Sequence, residues 1–155
     1  MKRYYKWFII VGAILLACLL AFALDDVVRT LNDEMRIVRG QLEGASFDLL
    51  VADTNELRLQ GLGGRPQLEP GEGMLFVFDK PDFECFWMKD VDYAIDILWF
   101  DADKRLVHVE DSVAPDTYPA SFCPSEPAQY AVELLEGQAE ALGVSGETVL
   151  DVPNL

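Results

Sequence analysis

Two short stretches hold the residues best suited to chemistry. In Phe86-Trp87-Met88-Lys89, strand geometry would put Trp87 and Lys89 on one face and Phe86 and Met88 on the other. An exposed indole beside an ammonium group is a platform for an apolar ligand that also carries negative charge. Asp96 is the second feature. It stands in Ala94-Ile95-Asp96-Ile97-Leu98-Trp99-Phe100, the most apolar strand-like stretch of the chain. A carboxylate buried there must be paired, hydrogen-bonded or pushed toward its neutral form. Two roles follow: a structural partner for Lys89, Arg58, Arg65 or loop amides, or an acid–base group tuned by burial.

Other groups invite chemistry less strongly. Gly61 to Arg65 is glycine-rich, but it lacks the spacing and the Lys-Ser/Thr of a phosphate loop, and glycine after a short helix is ordinary C-cap chemistry. Arg65 stays among the candidates. Met74, Met88, Trp87, His108 and two cysteines include soft-metal ligand types, yet none has CxxC or HxxxH spacing. Methionines in apolar strands are usually core filler. His108 lies between Val107 and Val109 and is expected on the solvent side of its strand. No nucleophile accompanies it, so no catalytic residue, metal or cofactor is assigned. The ligand-binding candidates are Arg65, Trp87, Lys89 and Asp96.

These residues must be positioned by short strands. Ser46–Ala52 alternates as a strand, Thr54 caps a helix over Asn55–Gln60 that stops at Gly61, and Met74–Phe78 is a continuous apolar run. Phe83–Lys89, Ala94–Phe100, Leu106–Val113 and Tyr130–Leu135 read as further strands. A helical turn spans Gln138–Leu142, and Glu147–Leu150 is the last strand. Pro115 to Pro127 holds four prolines and reads as an extended surface loop. The pattern fits an all-β domain with one or two short helices, arranged as a β-sandwich or distorted barrel.

Several phrases together resemble one family. They include Val51-Ala52-Asp53-Thr54, Gly61-Leu62-Gly63-Gly64-Arg65, Gly73-Met74-Leu75-Phe76-Val77-Phe78 and Phe86-Trp87-Met88-Lys89, with Ile95-Asp96-Ile97-Leu98 and Tyr130-Ala131-Val132-Glu133-Leu134 after them. From about Ile37 to Val149 the chain looks like the domain-of-unknown-function 192 (DUF192) family, an uncharacterised prokaryotic group whose members are often exported. The resemblance implies a jelly-roll-like all-β fold and brings no activity. Gly63 and Ala94 depart from it, since many members have Met and Pro there, so no role for a methionine carries over to position 63.

Ahead of this domain lies a different kind of segment. Lys2, Arg3 and Lys6 precede Trp7–Leu24, eighteen residues without a charge. That is just long enough to span a bilayer, with the cations on the cytoplasmic side and the domain outside. The competing readings are a signal cleaved after Ala21-Phe22-Ala23 and a lipid attached at Cys18. All three are extracytoplasmic. Val28, Leu31 and Met35 recur at helical spacing, so residues 25–36 read as a helical stalk ahead of a domain over residues 37–155.

The 155-residue chain carries a net charge of −15, and without residues 1–24 it has 9 basic against 27 acidic residues. Such a surface repels phosphate backbones, so nucleic acid is not an expected partner. In an oxidising compartment Cys85 and Cys123 suggest a disulfide, which would contribute roughly 4 kcal/mol by closing a long loop. The expected function is a non-catalytic module held at the cytoplasmic membrane through residues 7–24. It would bind a small ligand, glycan or protein on a face containing Trp87, Lys89, Arg65 and the 115–127 loop. The alternatives are a cell-envelope hydrolase using Asp96 and a copper-type site.

Overall fold

The computed structural model describes residues 35–153 and 155. The membrane segment expected at 1–24 and the stalk residues 25–34 lie outside the described residues. Met35 and Arg36 are not helical: the Arg36 carbonyl already accepts from the Val51 amide, and β1 (Ile37–Leu42) follows directly. Val38 and Leu42 also extend the helical spacing of the residues before them. A separation of four suits one face of a helix, but it equally suits one face of a strand. In β1 both side chains pack into the core.

β1 turns at Glu43-Gly44, both with positive φ, into β2 (Ala45–Ala52), the mirror-image turn whose twist matches that of a hairpin. Thr54 caps α1 (Asn55–Gln60) by accepting from the Leu57 amide at 3.3 Å, and Gly61 ends it at φ 54°. Then come β3 (Glu72–Asp82), β4 (Ile95–Phe100), β5 (Leu106–Val113), β6 (Ala128–Leu135) and α2 (Gln138–Leu142). The six strands form one mixed sheet in the order β1-β2-β3-β6-β4-β5, with β2 and β3 parallel and the other neighbours antiparallel. The all-β expectation with two short helices matches. A jelly roll differs, since it would divide its strands between two antiparallel sheets.

Alternation sends side chains into two core layers. Met74, Phe76, Ile97 and Trp99 point to one face, whereas Leu75, Leu98, Phe100 and Val132 point to the other. The second face is wrapped by α2 and the C-terminal segment. Gln41 and Asp151 exchange backbone hydrogen bonds of 2.8 and 3.0 Å, and the Leu150 amide donates to the Lys104 carbonyl at 2.9 Å. The Leu106 amide at the start of β5 donates to the Thr148 carbonyl at 2.9 Å, so one segment reaches both edge strands, β1 and β5. The strand expected at Glu147–Leu150 is present only as these isolated bridges.

The first face is covered by loops rather than by strands. Phe83–Lys89, expected to be a strand, pairs only at Phe86, which exchanges two 2.8 Å hydrogen bonds with Phe122. Its alternation is real: Phe86 and Met88 go inward while Trp87 and Lys89 stay exposed. The inward pair serves to roof the sheet, and no ladder is needed for that. Cys85 and Cys123 face each other next to the Phe86–Phe122 bridge and are disulfide-bonded, tying the two roofing loops together.

Gly73 marks a tight point of the sheet, with backbone close by. A Cβ there would lie 2.9 Å from the Glu133 carbonyl oxygen and 2.8 Å from Leu134 Cδ2. The carbonyl can move only by opening the β3·β6 ladder. Gly73→Ala is expected to lower unfolding stability by about 1–3 kcal/mol, measured by urea denaturation.

Candidate ligand-binding cleft

The roofing loops leave a cleft of about 500 Å³ on the first face. Its floor comes from β3 and β6, through Phe76 and Glu133, and its walls from α1, the Gly61–Leu62 turn and the Phe86–Lys89 loop. The size lies within the range of small-molecule sites. Phe86 meets Phe76 edge-on at 4.7 Å between ring centroids and Trp99 at 5.6 Å. The Trp99 indole N–H donates to the Glu84 carbonyl at 3.0 Å, which fixes the loop above the sheet.

The sequence-predicted residues divide among three places. Trp87 and Lys89 both line the cleft, and Trp87 is 49% exposed at its mouth. Lys89 makes no ion pair among the described residues. Arg65 stands apart from the lining: its Nε donates to the Gly61 carbonyl at 3.1 Å, and its Nη2 lies 2.8 Å from Met35 Sδ. It locks the turn that follows α1. Asp96 is on the opposite face of the sheet and fully buried. Its two oxygens accept from the Ser112 and Ala139 amides, each at 2.9 Å. The loop-amide partnership therefore describes Asp96, which joins β4 to β5 and to the start of α2.

Glu133 is the residue that sequence reasoning missed. In register it lies between Met74 of β3 and Ile97 of β4, on the same face as Ala131. It is 4% exposed, and among the described residues no group bonds to its Oε2. Burial pushes its carboxyl up to about 8, so it is largely protonated at neutral pH. The signal was available. Tyr130-Ala131-Val132-Glu133-Leu134 sets a carboxyl into an apolar strand just as Ile95-Asp96-Ile97 does. Parity within the sheet then separates them, because Asp96 pairs with Leu134 and not with Glu133.

Arg58, also in the lining, is engaged elsewhere. Its guanidinium donates to the Val77 and Asp53 carbonyls and to Asn55 Oδ1, and it sits 5.6 Å above the Phe78 ring. His108 is half-buried rather than solvent-facing, with Nε2 3.2 Å from Glu110 Oε1 and its ring 5.4 Å from Trp99. Met74 and Met88 are core residues, and the disulfide consumes both thiols that a soft-metal site would use. Among the described residues no three His, Cys, Asp or Glu side chains converge on a metal-sized site.

The family model of the uncharacterized ACR proteins, DUF192, matches residues 37–152. Two solved structures share the fold. A protein of unknown function from Novosphingobium aromaticivorans superposes with a TM-score of 0.73 at 24% identity, over 77% of this chain and 87% of that one. A candidate transcription regulator from Sinorhizobium meliloti gives 0.72 at 28% identity, over 78% and 97%. No curated protein matches the chain.

Glu133 makes stability depend on pH. Its folded pKa lies above its unfolded value near 4.5, so the folded state holds the extra proton between about 4.5 and 8. Stability is then greatest below that window and falls as pH rises through it. Relative to Glu133→Gln, the wild type is expected to lose up to roughly 1.4 kcal/mol per pH unit between pH 5 and 8. Parallel urea titrations of the two proteins check this, and parallel curves would refute it.

Proposed function

The chain belongs to the DUF192 family, to which no reaction is attached, and we propose that its cleft is a small-ligand binding site without a catalytic role. The observation that carries this reading is the buried Oε2 of Glu133, without a partner among the described residues, on the floor of the cleft. A buried polar atom costs free energy unless something bonds to it. Trp87 and Lys89 supply an apolar platform and a cation that makes no ion pair among the described residues. A concave site of this size suits a small molecule better than a flat protein surface.

The hydrolase alternative placed acid–base chemistry on Asp96, whose oxygens are both occupied by amides and lie away from the cleft. The name of the Sinorhizobium meliloti neighbour raises transcription, hence DNA. The balance of 9 basic to 27 acidic residues beyond residue 24 opposes a polyanion partner. A fragment screen by thermal shift tests the site. At least one fragment class should raise the Tm of the wild type, and Trp87→Ala should weaken that class by tenfold or more. Fragments that protect both proteins equally would place binding elsewhere.

We further propose that the domain works outside the cytoplasm, held to the membrane by residues 7–24. Support comes from the cations ahead of that uncharged stretch and from the Cys85–Cys123 bond, which suits an oxidising compartment. Alkaline phosphatase fused after Leu155 should be active in cells, while a green fluorescent protein fused there should stay dark. The reverse pattern would place the domain inside.

A further inference from the structure

The cleft combines two kinds of surface that rarely share a site without a purpose. Phe76, Phe86 and Trp87 present aromatic carbon, and Glu133 presents a carboxyl oxygen with no partner. We infer that the cleft takes a small organic cation, an ammonium group on an apolar body, with the ammonium at Glu133 Oε2 and the body against Phe86 and Trp87. This rests on the reading of the cleft as a ligand site, and it names the ligand's chemistry.

Charge and hydrogen bonding favour a cation over the alternatives. The titratable groups around the cleft are Arg58, Asp79, Lys80, Glu84 and Lys89, with Tyr93 close enough to feel the charge of Glu133. Arg58 is spent on carbonyls and Asn55, and Lys80 pairs with Asp82 at 3.7 Å. Asp79 and Glu84 make no ion pair among the described residues, and neither does Lys89. With Lys80 offset by Asp82, the lining holds Arg58 and Lys89 against Asp79 and Glu84, so the local charge is balanced and the field that favours a cation is that of the whole chain, net charge −15. Such a field concentrates cations and repels anions.

A neutral hydroxyl would bond to the protonated carboxyl and leave its proton in place. An ammonium group takes the site differently, because it turns the buried carboxylate from a cost into half of an ion pair. The aromatic faces add cation–π attraction. Binding a cation must displace the proton on Glu133. Affinity should therefore rise tenfold per pH unit up to about 8, then level off until the amine itself loses its proton.

Calorimetry on the full chain in a non-ionic detergent decides the matter, using butylammonium, butanol and butyrate as probes of one shape. Each is titrated at pH 6, 7 and 8 in two buffers of different ionisation enthalpy. Butylammonium is expected to bind at least tenfold more tightly than the other two at pH 8. It should weaken about tenfold per unit toward pH 6 and release close to one proton. Glu133→Gln should remove both the preference and the pH dependence. If that variant does not fold, proton release by the wild type decides alone. Butanol or butyrate binding equally well, or binding without proton release, would overturn the cation and leave the ligand site standing. Silence from all three probes would overturn both.

Discussion

β6 is the strand on which the architecture depends. It is hydrogen-bonded to β3 on one edge and β4 on the other, and covered on both faces. Its stretch from Ala131 to Leu134 is buried throughout, so a polar side chain there must be satisfied by the protein or by whatever enters from the cleft. Glu133 is the one acidic residue on this strand. The roofing loops, the α1 turn and the disulfide all lie above its face.

Two carboxyls on neighbouring strands meet opposite fates because of the pleat. Asp96 points to the face that α2 closes, where two amides are already aimed at its oxygens. Glu133 points to the face that loops roof, where the nearest neighbours in register are Met74 and Ile97. Hydrogen bonding makes one a structural joint. Burial without partners leaves the other largely protonated at neutral pH.

Local pattern carried much of the fold. Asn55–Gln60, Leu106–Val113 and Gln138–Leu142 form the elements that caps, alternation and glycine stops imply. Pairing was not legible, because it depends on contacts distant in sequence. Phe83–Lys89 has the alternation of a strand and finds a partner only at Phe86. Trp87 and Lys89 could be singled out by residue type alone. Arg65, Asp96 and Glu133 could not be sorted that way, since their roles follow from which face or turn they reach and not from their neighbours in the chain.

The segment around Val149–Asp151 touches both edges of the sheet, yet it follows all six strands in the chain. During synthesis the strands emerge first, and each edge must wait with its amides and carbonyls unpaired. Such edges are templates for association with other chains. Completion of this fold is therefore tied to the order in which the ribosome delivers it: the clasp arrives after the parts it holds. An interruption between Leu135 and Val149 leaves the six strands without the segment that touches both flanks.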